Sequence, residues 1–521
     1  MIAFVKSNEI PALIPCGATI YTCGFGLAGF AEEVAIEIEQ SFLKQGTPRD
    51  LILYHSTGTG NSRDKGIAHF AHEGLVKRIV GGHFGASGPE IGKLIMENKI
   101  EGYNFPQGVL AILPREIAGR RPGVITKVGL GTFVDPRLEG GKINSLTRQQ
   151  EDLVTLVTLD QEEWLFFKAP KVDVAIIRGT SADEHGNLTI EKDGVLVETL
   201  SVAQAARASG GIVIAQVEQV VKAGTMHAKE VKVPGIMVDY ICVAKPENSF
   251  QTQGTYFNPA FCGDLKIPLH TIKPMPLDEK KVISRRAAME LTEGAVVNLG
   301  IGLPEGVSAV AAEQGVCSKI TLTTEGGGIG GVPASGLDFA NSVNPEAIIE
   351  QPYQFDFYDG GGIDLSILGL AQTDSAGNVN VSKFHSKVAG CGGFINITQN
   401  AKKIVFCGSF TAKGLEVEVR DGTLKILKEG QMKKFIQSVE QITFSANYAL
   451  QRHQEVLYVT ERAVFSLTER GLELIEIAPG IDLEHDILRN MDFIPIIEQV
   501  KLMPEEIFFE QWHGLACLAK K

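Results

Sequence analysis

The sequence predicts an α/β protein built as two related open α/β domains with mainly parallel sheets, the product of an internal duplication. Three observations carry this expectation. Strand-like and helix-like patterns alternate along the chain, punctuated by 57 glycines, as parallel sheets with covering helices require. The segment 172–177, leading to Asp183-Glu184-His185-Gly186-Asn187-Leu188, is matched without gaps at an offset of 191 by 363–368, leading to Asp374-Ser375-Ala376-Gly377-Asn378-Val379. A second echo opens each half of the chain.

In order, the elements read as follows. Residues 17–22 form a strand that runs into Gly24-Phe25-Gly26-Leu27-Ala28-Gly29, then a helix over 31–43 and a strand over 51–54. Residues 172–177 are a buried strand followed by a tight turn at Asp-x-x-Gly-Asn, because Gly and Asn tolerate positive φ, and then by a second strand. The second half repeats the plan. Gly294-Ala295-Val296-Val297-Asn298-Leu299 runs into Gly300-Ile301-Gly302-Leu303, a helix spans 305–313, and the β-branched run 320–324 is a strand. The boundaries are placed at 1–244 for the first domain, 245–278 for a Pro-, Asn- and Gln-rich aperiodic linker, and 279–521 for the second domain. Paired domains commonly place a ligand at their interface.

Glu325 follows directly on the 320–324 strand and precedes Gly326-Gly327-Gly328-Ile329-Gly330-Gly331-Val332-Pro333. Glycines there allow close approach of a backbone or a bulky ligand. The carboxylate is either a ligand anchor or a nucleophile, and residue chemistry alone leaves both open. By the duplication, Glu325 corresponds to about residues 55–57 in the first half.

Bulk properties exclude several function classes. A net charge of −13 argues against nucleic acid as the main partner, since phosphate binding needs a basic surface. Eight scattered cysteines without a CxxC pair fit a reducing compartment. No apolar run reaches the roughly 18 residues of a membrane span, and the N-terminus lacks a signal-peptide pattern. The expectation is a soluble cytoplasmic protein.

Other motifs weigh less. Gly24-x-Gly26-x-x-Gly29 fits a dinucleotide fingerprint in outline, but the next strand ends in His55-Ser56 rather than an acid. Gly300-x-Gly302 partly meets that test through Glu325. A phosphate-cradling role suits these loops better. His69-x-x-His72 with nearby His83 lacks the ligand set of a metal site, so packing is expected and no metal. Cys391 in Gly390-Cys391-Gly392-Gly393-Phe394 reads as a small residue in a tight turn, because no base accompanies it. The carboxylates of Asp356, Asp359 and Asp364 beside Gly360-Gly361-Gly362 read as turn capping. No Gly-x-Ser-x-Gly elbow is present.

Glu325-Gly326-Gly327-Gly328-Ile329-Gly330-Gly331-Val332-Pro333 resembles the catalytic glutamate segment of family I CoA-transferases, and in particular of single-chain acetate/propionate CoA-transferases, relatives of succinyl-CoA:3-ketoacid CoA-transferase. Matching segments run along nearly the whole chain: Gly24 to Gly29, Gly81-Gly82-His83-Phe84-Gly85, Tyr103-Asn104-Phe105-Pro106-Gln107-Gly108, and Gly129-Leu130-Gly131-Thr132-Phe133-Val134-Asp135-Pro136-Arg137. In the second half Asn298-Leu299-Gly300-Ile301-Gly302-Leu303-Pro304 is similar to the CoA-binding loop, and Gly390 to Asn396 to the loop that supplies a backbone oxyanion donor.

The resemblance implies acyl exchange between a short-chain acyl-CoA and a free carboxylate such as acetate, with Glu325 as nucleophile and a glutamyl-CoA thioester as intermediate. Carboxylate and thiolate are both anions at neutral pH, which accounts for a chain without a Ser-His or Cys-His constellation. Gly392 or Gly393, with Thr57 or Gly58, are the implied backbone oxyanion donors, and Gln107 the residue orienting the acyl or carboxylate group. Asn298, Leu299, Gly300, Ile301 and Gly302 are implied in binding CoA, and Lys383 and Lys387 could meet its phosphates. The glycines after Glu325 read as working room for the thioester. No cofactor is implied beyond the CoA substrate, and a homo-oligomer is expected. Two other classes are carried alongside: a dinucleotide-dependent oxidoreductase using Glu325 as a ribose anchor, and a non-catalytic acyl-CoA or sugar-phosphate sensor.

Overall fold

The computed structural model describes residues 2–268, 274–385, 387–515 and 518; residues 269–273 of the expected linker, and Cys517, lie outside them. The first half supplies eight strands to its main sheet: β1 (Ala3–Phe4), β2 (Thr19–Thr22), β3 (Leu51–Gly58), β4 (Val76–His83), β5 (Glu101–Asn104), β6 (Val174–Arg178), β7 (Ile212–Val217) and β8 (Tyr240–Val243). They form one sheet in the order β1-β8-β7-β6-β2-β3-β4-β5, and every pairing is parallel.

Such a sheet is buried on both faces, so its central strands β6 and β7 are largely apolar. Ala175 and Ile177 pack in one core cluster, with Val213, Ala215 and Val217. Val174, Ile176 and Ile214, alternating with them, pack in another on the opposite face. Helix α1 (Glu32–Gln45) covers the latter with Val34, Ala35 and Ile38. It stops where Gly46 takes a left-handed conformation (φ 72°) and donates to Phe42 O at 2.7 Å, the usual device for a helix end. Helices α2 (Gln107–Ala118) and α3 (Thr199–Ser209) cover the other face.

The second half supplies β9 (Val296–Leu299), β10 (Thr321–Thr323), β11 (Gly328–Ile329), β12 (Ala347–Ile348), β13 (Leu365–Gly369), β14 (Lys403–Cys407), β15 (Glu455–Val459), β16 (Ala463–Thr468), β17 (Gly471–Ile477) and β18 (Lys501–Leu502). Their order is β12-β11-β10-β9-β13-β14-β15-β16-β17-β18. The run from β10 to β15 is parallel; β11 and β12 on one side and β16 and β17 on the other are antiparallel additions. Helices α4 (Gly306–Glu313), α5 (Gln351–Asp359) and α6 (Phe394–Asn400) belong to this half.

The repeat read from the sequence is physical. Asp183 accepts hydrogen bonds from the backbone of His185 and Asn187 and from Asn187 Nδ2, at 2.8–2.9 Å. Asp374 accepts from Ala376, Asn378 and Asn378 Nδ2 at 3.0–3.1 Å. Each turn joins a short antiparallel pair, Ser181–Asp183 with Leu188–Thr189 and Gln372–Thr373 with Val379–Asn380. Asp173 and Asp364 also share a role: each accepts from the backbone at the start of the neighbouring strand, Thr19 N at 3.0 Å and Val296 N at 2.8 Å. The strand expected over 51–54 runs on to Gly58 as β3, so residues 55–57 lie inside it. The expected strand 320–324 shortens to β10, because Ile320 closes a 3-10 turn and Thr324 opens the next turn.

Candidate active site

In open parallel sheets, ligands bind beyond the carboxyl ends of the strands, and here such ends from both sheets meet. A pocket of about 350 Å³ is lined by Gly58 and His83 at the ends of β3 and β4, and by Gln107 just beyond β5. From the second half it takes Gly300 and Ile301 after β9, Glu325 after β10, and Gly369, Leu370 and Ala371 at the end of β13. The loop Gly390 to Phe394 completes it.

Glu325 sits in the tight turn between β10 and β11, closed by Gly327 N donating to Thr324 O at 3.1 Å and Thr324 N to Gly328 O at 2.9 Å. The expectation that the following glycines give working room is corrected. A Cβ on Gly326 would lie 2.7 Å from Ala340 O, and one on Gly327 only 1.8 Å from Ile349 O. These positions are filled by neighbouring backbone and hold the turn. The glycines that line the pocket are Gly393, Gly392, Gly390, Gly300 and Gly58, and of these Gly392 is the open one, where a Cβ would meet nothing nearer than Gln107 Oε1 at 3.6 Å.

The Glu325 carboxylate lies against Gly393: a Cβ there would be 2.7 Å from Oε2. Burial pushes its pKa up to about 7, while the Gln107 amide and the Gly393 N–H draw it back down. Gln107 approaches closely enough to stabilise the charge, yet its Nε2 makes no well-aligned hydrogen bond and is a buried donor without a partner. Such a donor awaits an acceptor. Of the two expected loop donors, Gly392 is corrected: its N–H is already spent on Gly82 O at 2.8 Å. Gly393 N–H is the one that faces the carboxylate.

Thr57 stands behind the wall, its hydroxyl bonded to Gly24 O and, at 3.2 Å, to Thr59 Oγ1; Gly58 lines the pocket. Asn298 is buried, donating to Thr323 O at 3.3 Å and Tyr358 Oη at 3.2 Å, and Leu299 lies in the core. They brace β10 and its turn rather than line the pocket. Gly300 and Ile301 do line it, and Gly302 (φ 85°) turns the chain into the 3-10 segment Leu303–Glu305. Lys383 is tethered, donating to Ile143 O at 2.9 Å with Glu139 at 3.9 Å. Lys387 is exposed, and its charge reaches His83.

His83 lines the pocket as a neutral ring, its pKa lowered to about 4 by burial and then by Lys387. Cys391 is buried, its thiol pushed up by burial and its N–H bonded to Asn104 Oδ1 at 2.9 Å, so it is no thiolate nucleophile. His69 pairs with Glu39 at 2.7 Å and Glu32 at 3.0 Å, and His72 with Glu39 at 2.6 Å. Among the described residues no cluster could hold a metal ion, and no helix is long and apolar enough to cross a membrane.

Sequence reasoning missed Gln253, from the linker stretch, and Phe339, whose ring lies 6.1 Å from that of Phe25; all three line the pocket. An aperiodic stretch carries no signal that would have found Gln253. It also missed Glu198, fully buried and accepting from Ser56 Oγ at 2.6 Å, with a pKa raised to about 7 by burial.

Comparison with known proteins adds to this geometry. The Coenzyme A transferase family matches residues 7–244. The chain is 51% identical to the caffeate CoA-transferase of Acetobacterium woodii over the whole of both chains. It is 44% identical to the acetate CoA-transferase YdiF of Escherichia coli K12, covering 98% of this chain and 96% of that one. The crystal structure of the acyl-CoA transferase YdiF from E. coli O157:H7, a thioester complex with CoA, superposes with a TM-score of 0.91 at 42% identity, covering 98% and 97% of the two chains.

Proposed function

Because this chain belongs to the coenzyme A transferase family, we propose that it exchanges CoA between a short-chain acyl-CoA and a free carboxylate such as acetate, by ping-pong chemistry through Glu325. The observation that carries this reading is the Glu325 carboxylate lining the pocket, packed against Gly393 with Gln107 on the same wall.

A Glu325 oxygen attacks the thioester carbonyl carbon. The C–S bond breaks, CoA leaves as thiolate, and a mixed anhydride of Glu325 and the acyl group remains. The thiolate then attacks the glutamyl carbonyl of that anhydride; the first acid leaves as carboxylate and a glutamyl-CoA thioester forms. A second carboxylate enters and the steps run in reverse. Each step exchanges one anion for another, so no proton moves and neutral His83 is not asked to carry one. Gly393 N–H supports the oxyanion that forms at the glutamyl carbon, and Gln107 Nε2 has free donor capacity for the acyl oxygen. Preorganised donors of this kind are worth about 3–4 kcal/mol each. Phe25, Phe339, Leu368 and Leu370 make the pocket apolar, which protects the anhydride from water.

Ile301, Gly300 and Lys387 are the residues we assign to the CoA arm and its phosphates, and the chemistry asks for no further cofactor. We take the working form to be a cytoplasmic homo-oligomer. A second reading of the acid has its own support: the caffeate-named relative shares more identity than the acetate-named one, and the Phe25 and Phe339 rings would suit an aromatic acid. Comparing kcat/KM for acetate and for a phenylpropenoate as acceptors from one acyl-CoA separates the two.

The reading itself is tested with Glu325→Gln. Exchange from acetyl-CoA to labelled propionate should fall by at least about 10³-fold with CoA binding retained. A Gln variant that still exchanges acyl groups contradicts the nucleophile. Nicotinamide or flavin binding, or ligand binding with no turnover in the parent protein, would favour the oxidoreductase or the sensor.

A further inference from the structure

We propose that Asn396 is a positioning residue that sets, through one side chain, the two groups that flank the Glu325 carboxylate, Gly393 and Gln107, and that Asp359 fixes its amide. The inference rests on the reading of Glu325 as nucleophile.

Helix α6 starts immediately after Gly393, so its rotation and axial position aim the Gly393 N–H. Helix α2 starts at Gln107, so its first turn aims the Gln107 amide. Asn396, fully buried on α6, joins the two starts. Its Oδ1 accepts from Gly108 N at 3.1 Å. Its Nδ2 donates to both oxygens of Asp359 at the end of α5, at 3.0 and 3.1 Å. A donor on one side and a carboxylate on the other leave the amide one orientation. Beside it, Gln107 N donates to Gly392 O at 2.9 Å. There is no space for a side chain at Gly108, where a Cβ would lie 2.4 Å from Asn396 Nδ2 and 2.5 Å from Phe355.

One helical turn further on the arrangement repeats. Gln399 Oε1 accepts from Gly129 N at 2.6 Å and its Nε2 donates to Leu130 O at 3.1 Å. Residues three apart share a helix face, so α6 is keyed to the first half by two amides. Two motifs that the chemistry leaves unused thereby acquire a role: the Asp356-to-Asp364 run supplies the clamp for Asn396, and Gly129-Leu130-Gly131 the socket for Gln399.

The test is an amide–carboxylate swap. In Asn396→Asp the acceptor for Gly108 N survives, but two buried carboxyl groups face each other and can close the contact only by holding a shared proton. In the double variant Asn396→Asp with Asp359→Asn, the amide at 359 donates to the acid at 396 and the network closes again. The single variant should lower kcat by about 10- to 100-fold, the cost of a displacement on the order of 1 Å, with the KM for acyl-CoA little changed. Because Gln107 and Gly393 hold down the Glu325 pKa, the acidic limb of the rate should move to higher pH. Of the other titratable groups near Glu325, Tyr358 and Cys391 stay protonated and His83 neutral near pH 7; Asp359, raised to about 7 by burial, titrates alongside Glu325, so an Asp359→Asn single variant is measured beside the others to separate its contribution to the limb. The double variant should recover both kcat and the limb; the fall in kcat and the shifted limb at unchanged KM and near-parent melting temperature in the single variant are what a merely structural residue would not give. A folded single variant with the parent's kcat and limb, or a folded double variant without recovery, overturns the proposal. If the single variant does not fold, Asp359→Leu tests the same link by removing only the acceptor: reduced kcat supports it and unchanged kcat overturns it. A Glu325→Gln control separates the two claims, because an active control sinks the nucleophile, whereas an inactive control beside an unaffected Asn396→Asp sinks the positioning role alone.

Discussion

Gly393 and Glu325 are so close that a single methyl group on Gly393 would lie 2.7 Å from Glu325 Oε2 and 2.8 Å from Cδ. The φ of Gly393 is −80°, which any residue adopts, so the glycine is there for space and not for backbone freedom. Gly393→Ala should therefore fold normally and displace the carboxylate. The expected result is a fall of about 10²-fold in kcat/KM with a melting temperature near that of the parent. Activity close to the parent's would mean that Glu325 reacts from some other position.

Burial places the Glu325 pKa at about 7 in the free protein. The proposed nucleophile must be ionised to react, so kcat/KM for acyl-CoA should fall below pH 7, approaching tenfold per pH unit. A carboxyl with its folded pKa raised above the unfolded value contributes stability below about pH 4.5 that is lost as pH rises through 7. Glu325→Gln removes that loss. Its melting temperature should exceed the parent's at pH 8, and the gap should shrink toward pH 5. Glu198 and Asp359, also pushed up to about 7 by burial, are common to both proteins and cancel. Equal gaps at the two pH values would contradict the assignment.

Gln107→Leu removes the amide that both lowers the Glu325 pKa and offers a free donor. The rate should drop by about 10²–10³-fold, and its acidic limb should shift upward relative to the parent. A drop without a shift would place Gln107 on the acyl group alone. The limb is read from kcat/KM against pH for the two proteins.

The duplicated turns make a separate prediction about stability. Asp183 and Asp374 each accept three local hydrogen bonds in the same pattern. Asp183→Ala and Asp374→Ala should each cost about 1–3 kcal/mol, seen as comparable decreases in melting temperature. A large loss at one turn and none at the other would show that the repeat is one of shape and not of energetics.

The fold was legible because parallel strands buried on both faces leave apolar runs, as at Val174 to Ile177 and, interrupted only by Ser366, Leu365 to Leu368, and because the Asp-x-x-Gly-Asn turns mark the repeat. Glu325, Gln107 and Gly393 were legible through strand ends and family-like segments. What local pattern could not show was which glycines face the ligand. Gly326 and Gly327 look like open space in a sequence but are packed by Ala340 and Ile349, residues set by tertiary contact. Gly392 reads as a donor until its N–H is seen bound to Gly82 from the other half. Gln253 and Phe339 reach the pocket from segments without periodicity, and the bond between Asn396 and Gly108 spans 288 positions of sequence.

The most direct test of the central claim is to look for the covalent intermediate. Protein incubated with acetyl-CoA and no acceptor should gain the mass of one CoA less one water, on the peptide holding Glu325. Borohydride should reduce that thioester to an alcohol at the same side chain, and added carboxylate should discharge it. Protein that exchanges acyl groups while the Glu325 peptide stays unmodified would contradict the account.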